Sequence, residues 1–475
     1  MAQDFSFEKK LYDNYDNWLE KALTYRRFKH SDIQPLIGRL KTDGIFSVSA
    51  AGVSEQGREI SLIKMGNGPV KAFMWSQMHG DEPTSTMALF DLFNFFRDGL
   101  RFTDEKKKIL EGVTLYIIPM LNPDGAELFQ RRNINRIDIN RDAIKQQSAE
   151  GRILKTVFDS LKPEFGFNLH DQSGRYSVGP TPKTAAFSFL APPFNKEKDT
   201  NQVRNKAIGL IGRLNSMLNS FIPGRIAKYS DDFEARAFGD NFQKWGMSTV
   251  LIESGGWPGD AEKQFLRKLN FVTLVSALKS ISSKNYQDIS PAEYESIPFN
   301  DNLIYDLLLR NVTINYGRSP AKIDIAVNRV EKNTPDMRSF FYEGIIEEMG
   351  DAGGRFGIEE FDMEGYELLP GKVYPEEFDS HGQVEQLNFT ELYKEGYIFV
   401  KVKNADSLNL NCAPCRLPIN VISSSATPFN YNINVEENAS FILAKNGVAE
   451  YACINGFFIN TAAPKGGVIN GSRFR

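Results

Sequence analysis

Cysteine is scarce in this chain of 475 residues, with three in all: Cys412, Cys415 and Cys453. Three thiols cannot staple a chain of this length, which excludes a disulfide-built fold. Their scarcity suits a reducing compartment, so a cytoplasmic location is the expectation. A dominant charge is lacking too. With 56 basic residues against 60 acidic ones the formal net charge is -4, which offers no general field for nucleic acid or an anionic membrane. No apolar run approaches the roughly 18 residues that a membrane-spanning helix needs. The opening "MAQDFSFEKKLYDNYDNWLEKALTYRRFKH" mixes acids, bases and aromatics and lacks the order of a secretory signal, so it reads as an amphipathic helix of the folded protein. Histidine is rare as well, at four residues, and one of them stands in "MHGDEPTST".

What is present is core material, 41% hydrophobic with 36 phenylalanines. That length exceeds one typical core and predicts two or three domains. From about residue 45 to 280, strand-like and helix-like runs alternate. "IFSVSAAGV" and "REISLIKMG" read as paired strands, and "KAFMWSQM" reads as a buried strand. "PTSTMALFDLFNFFRDG" predicts a largely buried helix, and "VTLYIIPMLNPDG" a strand stopped by a turn. "EFGFNLHDQ" and "STVLIESGG" repeat the scheme of a short apolar strand ending on a polar residue. The runs at 200–221 and 260–281 carry helical apolar stripes. Alternation of this kind predicts an α/β layer structure with helices on both faces of a sheet. Sites in such folds gather at the carboxyl ends of the strands.

Four polar groups fall at those predicted strand ends: His79 and Glu82, His170, and Glu253. Two neutral imidazoles and one carboxylate suit zinc, with a fourth position left for water. A zinc ion would lower the pKa of that water and polarise a carbonyl. Glu253, after the apolar run "TVLI", is placed to act as general base. The arginines of "LFQRRNINRIDINRD" could stabilise a developing oxyanion. Each residue also has a blander reading, as a loop histidine, a helix-capping carboxylate or a solvated basic face.

"HGDE", "NPDG", "RRNINRIDINR", "NLHD" and "LIESGG" occur in the order found in the zinc metallocarboxypeptidases of the carboxypeptidase A type, and residues 45–280 resemble that family. The resemblance implies a mixed sheet flanked by helices and one zinc ion held by His79, Glu82 and His170. It implies Glu253 as the base and Arg131 as the oxyanion-stabilising arginine. Asn140 and Arg141 would grip the substrate's terminal carboxylate, a task suited to the planar guanidinium fork. Tyr229 is the candidate for the substrate-capping tyrosine. At the base of the specificity pocket, Arg236 would favour an acidic terminal residue and Phe238 an apolar one. Asp138 is expected to orient the neighbouring arginine. Asp81 departs from the digestive enzymes, and "HGDE" is closer to bacterial branches of the family that include murein-peptide amidases.

The expected activity is removal of a C-terminal residue from a peptide. One alternative is an amidase of murein peptides or other small acidic amides. The other is an inactive metal-binding module joined to an assembly domain. Expected boundaries are an N-terminal helical extension at 1–40, a catalytic domain at 41–284, a linker at 285–302 and a β-rich accessory domain at 303–475. In the last, short runs such as "LLLRNVTINY", "ASFILAKN" and "AEYACINGFFI" resemble the β-sandwich that flanks the barrel of amidohydrolases, without the barrel. Packing, homo-oligomerisation or shaping of the cleft would be its work. Within it, "CAPC" reads as two buried structural thiols rather than half a zinc knuckle or a redox pair.

Overall fold

The computed structural model describes residues 4–403, 418–423 and 433–462. The chain divides into two compact units, Met1–Asn302 and Leu303–Arg475. Among the described residues no helix is long and apolar enough to cross a membrane.

The first unit is built on an eight-stranded mixed sheet. Its strands are β1 (Phe46–Val53), β2 (Glu59–Met65), β3 (Val70–Ser76), β4 (Val113–Ile118), β5 (Phe165–Asp171), β7 (Phe187–Leu190), β8 (Ile226–Lys228) and β9 (Ser248–Ser254), while β6 (Ser177–Val178) lies outside it. The spatial order is β1-β2-β4-β3-β5-β9-β7-β8. The central four strands β4, β3, β5 and β9 run parallel, and the expected hairpin of β1 and β2 is antiparallel. Parallel strands are covered on both faces, so their side chains alternate between two cores rather than between core and water. On β3, Ala72 and Met74 enter one cluster while Phe73 and Trp75 enter the other.

The helices sort accordingly. α3 (Thr84–Arg97), α4 (Thr103–Gly112), α7 (Gln202–Asn219) and α9 (Gln264–Ser283) contribute to the first cluster. α6 (Ala149–Leu161) and α8 (Phe238–Lys244) contribute to the second. α3 carries apolar residues all round, from Met87 to Phe96, as a helix must when it is buried on most sides. The expectation of helices on both faces of a mixed sheet holds.

Three expectations differ in detail. The N-terminal segment is not one long helix: α1 (Ser6–Asp13) is followed by two short 3-10 turns and then α2 (His30–Lys41). It is also no appendage, since Phe7, Leu11, Tyr15, Trp18 and Leu23 join the same core as α3 and α9. The fully buried Arg267 clasps Asp91 and donates to the carbonyls of Glu20 and Leu23, while the Tyr15 hydroxyl donates to Asp91. A buried pair this fully hydrogen-bonded fixes the segment in place. Residues 285–302, expected as a linker, fold into the first unit. They form α10 (Pro291–Glu295) and β10 (Asn300–Asp301), which pairs with β6, and Tyr286 and Tyr294 are buried in the core. "NPDG" begins α5 (Pro123–Leu128) instead of ending in a turn. Asn122 accepts from the Gly125 N–H at 2.8 Å, and Pro123 takes the first helical position.

The second unit is β-rich, as expected. β11 (Ile304–Ile314), β12 (Ala321–Asn333), β13 (Phe340–Gly350), β14 (Phe356–Asp362), β15 (Glu367–Pro370), β19 (Phe441–Lys445), β20 (Val448–Ile454) and β21 (Phe457–Asn460) share one sheet, with most neighbours antiparallel. β16 (Lys372–Phe378), β17 (Tyr397–Val402) and β18 (Asn420–Ser423) form a small parallel sheet. The short helices α11 (His381–Val384) and α12 (Phe389–Lys394) lie between β16 and β17. The last two hairpins turn on Asn446-Gly447 and Asn455-Gly456, all four residues at positive φ, the backbone that a two-residue turn of matching twist requires. Cys453 is buried, whereas the "CAPC" residues Cys412 and Cys415 lie outside the described residues.

Candidate metal centre

The connection from β3 leads to β4 on one side, and the one from β5 leads by way of β6 to β7 on the other, so the sheet has a switch point between β3 and β5. In open sheets of this kind ligands bind at such a point, outside the carboxyl ends of the strands, and the strand-end residues meet there. His79, Glu82 and His170 are buried and offer ligand atoms that all lie within 4.8 Å of one another. His79 Nδ1 stands 2.7 Å from Glu82 Oε1, His170 Nδ1 2.7 Å from Glu82 Oε2, and the two Nδ1 atoms face each other at 3.2 Å. Two imidazole nitrogens sharing a tetrahedral zinc ion stand about 3.3 Å apart, so the spacing and the donor set both fit that metal.

The loop carrying His79 and Glu82 has little freedom. Gln77, at a φ of 51°, donates from its side-chain amide to the Gly80 carbonyl at 2.9 Å. A Cβ on Gly80 would come within 2.0 Å of the Gly125 backbone, so the glycines of "HGDE" and "NPDG" allow two main chains to touch. A second such contact joins the loops after β5 and β9, where a Cβ on Gly256 would meet Gly174 Cα at 2.5 Å. The Asp171 N–H donates to Glu82 Oε2 at 3.2 Å, which helps to orient that carboxylate.

Asp138 does more than expected. Its Oδ2 takes the Arg131 Nε at 3.1 Å, which is the orienting role read from the sequence, while its Oδ1 lies 3.1 Å from His79 Nε2. A carboxylate on the far nitrogen of a ligating histidine fixes the tautomer that turns the other nitrogen inward. Burial presses His79 toward its neutral form, but Glu82 and Asp138 outweigh it and raise its pKa to about 9. For His170 burial dominates and lowers the pKa. Burial alone would raise Glu82, yet the two imidazoles hold it well below the usual carboxylate range. Asp81 is pushed up to about 6 by burial and by Glu82.

Glu253 reaches the centre by register. It pairs with His170 across β5 and β9, and cross-strand partners present their side chains on the same face. It is 7% exposed, and burial, with Glu82 adding, drives its pKa well above the ordinary value. Arg131 is 44% exposed and places Nη1 at 3.1 Å from His79 Nδ1 and 3.4 Å from Glu82 Oε1. Tyr229 follows β8. Burial raises its pKa first, and the Glu253 and Tyr176 charges raise it further, so all three groups share one neighbourhood. Tyr176 had no signal in the sequence.

Asn140 and Arg141 lie on a 3-10 turn capped by Asp138. Asn140 Oδ1 accepts from the Phe238 N–H at 3.1 Å, which leaves its amide donors facing away. Arg141 donates from Nη1 to the Asn140 carbonyl at 2.9 Å and pairs through Nε with Glu234 at 3.2 Å. Arg236 is 63% exposed and forks onto the same Glu234, whose pKa is held at about 2 chiefly by that fork. Phe238 is buried among Trp75 and Phe242. Sequence reading missed Glu234 entirely, since one acid among the several of "YSDDFEARAFGD" carries no distinguishing pattern.

A sheet switch point holding two imidazoles and a carboxylate, with a buried glutamate in register and an arginine alongside, defines a candidate mononuclear metal site of the zinc-hydrolase kind. Comparison with known proteins narrows the class. Residues 39–182 match the family described as zinc carboxypeptidase. Similar curated proteins include Carboxypeptidase SOL1 of Arabidopsis thaliana, 35% identical over 26% of this chain and 24% of that protein. Another is Carboxypeptidase 2 of Trichophyton tonsurans, 26% identical over 27% of this chain and 25% of that protein. The match thus spans about a quarter of the length of these relatives. A metallo-carboxypeptidase from Burkholderia cenocepacia is a similar solved structure, with 16% identity, 54% of this chain and 70% of that chain covered, and a TM-score of 0.44. Residues 39–182 of the first unit are thus similar to zinc carboxypeptidases, in agreement with the resemblance read from the motifs.

Proposed function

We propose that this protein is a zinc-dependent carboxypeptidase that hydrolyses the C-terminal amide bond of peptides. The observation that carries the reading is the in-register pairing of His170 with Glu253 beside the convergence of His79, Glu82 and His170. Zinc held by those three side chains would supply Lewis-acid polarisation of the scissile carbonyl and a nucleophile available near neutral pH. Glu253, its proton affinity raised by burial, takes the proton of the attacking water and delivers it to the departing amine. Arg131 donates to the oxyanion as charge develops there, with Asp138 holding its guanidinium in place. Asn140 and Arg141 bind the terminal carboxylate and set the register of the peptide. Tyr229 covers the bound residue, and Asp138 keeps His79 in the ligating tautomer. For the second unit the reading is an accessory β-domain that supports assembly.

The test is release of the terminal amino acid from N-acylated dipeptides ending in leucine, lysine or glutamate, each with a free or an amidated terminus, together with zinc analysis of the protein. Release is expected only from free carboxylates and only with metal bound. Equal cleavage of amidated peptides, or full turnover after a chelator has stripped the metal, would overturn the assignment.

A further inference from the structure

Glu234 sits where the sequence-derived site has no acid. Its carboxylate receives the Arg236 Nε at 2.9 Å, Arg236 Nη2 at 2.8 Å and the Arg236 backbone N–H at 3.1 Å, and it pairs with Arg141 Nε at 3.2 Å. The segment around it is pinned. The Glu234 N–H donates to Asp240 at 3.0 Å, and the Ala143 N–H donates to the Arg236 carbonyl at 3.1 Å. The Phe238 N–H donates to Asn140 at 3.1 Å. One carboxylate thus bridges two arginines, and a single net positive charge remains for an incoming anion.

A residue whose α-carboxylate rests on Arg141 carries its own side-chain head group within about 5 Å of that carboxylate. Anything bonded to Arg141's partner therefore lies within reach of the terminal side chain. Arg236 would by itself attract an acidic side chain there. With Glu234 forked onto it, the pair presents no net charge, and a second substrate carboxylate meets the Glu234 oxygens instead.

We infer that Glu234 is a specificity-determining residue that cancels Arg236 and so selects against peptides with an acidic C-terminal residue. The inference rests on the carboxypeptidase reading in one respect, that Arg141 receives the terminal carboxylate. Its two consequences are that removing the Glu234 charge releases Arg236 for an acidic side chain, and that the gain vanishes when Arg236 is removed as well.

The experiment is calorimetric titration of the zinc-loaded protein with N-acetyl-leucine and N-acetyl-glutamate, for the parent, E234Q, E234A and the double variant E234Q/R236Q. Taking the ratio of the two affinities cancels any change in grip on the shared α-carboxylate. The glutamate-to-leucine ratio should rise about tenfold in both single variants, a moderate effect because the groups are partly exposed and screened, and should return to the parent value in the double variant. E234A keeps the test open should the glutamine disturb the loop. A ratio unchanged within about twofold in folded single variants, a gain that survives loss of Arg236, or a parent that binds neither acid would each overturn the inference. Because the ratio is read without turnover, an inactive protein with a shifted ratio would sink the hydrolase reading alone. An active one with an unshifted ratio would sink this inference alone.

Discussion

In the first unit the imidazoles and carboxylates of the metal centre are buried and face one another; in the second, charged groups lie along strands and pair near the surface. His79, Glu82, His170 and Glu253 converge out of solvent at the ends of β3, β5 and β9. Arg310 reaches Asp324 and Glu360 on neighbouring strands at 3.0 and 2.9 Å, and Lys332 reaches Glu343 at 2.8 Å, with most of these side chains part exposed. The topologies explain the contrast. Parallel strands need crossovers, and where crossovers diverge they leave a crevice that loops fill with side chains drawn from distant sequence. Antiparallel hairpins such as β19-β20-β21 return at once through Asn-Gly turns. They leave no such crevice, and their charged pairs serve registry and solubility.

The comparison breaks first if chemistry does not depend on the buried acid of the first unit. Glu253→Gln should keep its zinc and lose about two to four orders of magnitude in turnover of C-terminal peptides, the range of general acid-base contributions. Near-normal rates with metal retained would remove Glu253 from the reaction. The second unit is probed by Leu443→Ala, at a fully buried position on β19. A cavity there should cost about 2–5 kcal/mol in the unfolding of that unit and leave hydrolysis below the transition unchanged. Lost activity in a variant that is still folded would mean that the division of labour is wrong.

The smallest effect concerns what buried acids cost. Burial pushes Asp240 up to about 6, above its unfolded value, so the folded state holds the proton more tightly. That contribution to stability is complete below about pH 4 and is lost as pH rises through 6. Asp240→Asn should therefore stabilise the protein by about 1–3 kcal/mol at pH 8 and by almost nothing at pH 4. Equal gains at both pH values in denaturant titrations would assign the effect to packing.

Much of the first unit was legible because its signals are local. A buried strand that ends on a polar residue shows in a few consecutive letters, and "HGDE", "NLHD" and "LIES" stand at strand ends in the folded chain. The N-terminal segment and residues 285–302 were misjudged because their partners are distant. Tyr15 and Glu20 are anchored by Asp91 and Arg267, and β10 is a strand through pairing with β6. Asp138 was assigned to its neighbour Arg131, while its bond to His79 spans 59 positions.

By itself, then, the order of residues determined the alternation of strand and helix, the β-rich character of the second unit and which side chains could ligate a metal. Periodicity and donor chemistry are properties of short stretches. Only the tertiary structure decided that Glu253 stands level with His170, that Glu234 occupies both Arg141 and Arg236, and that the N-terminal segment belongs to the core of the first unit. Those facts depend on strand register and loop docking, which arise from packing among segments far apart in the chain.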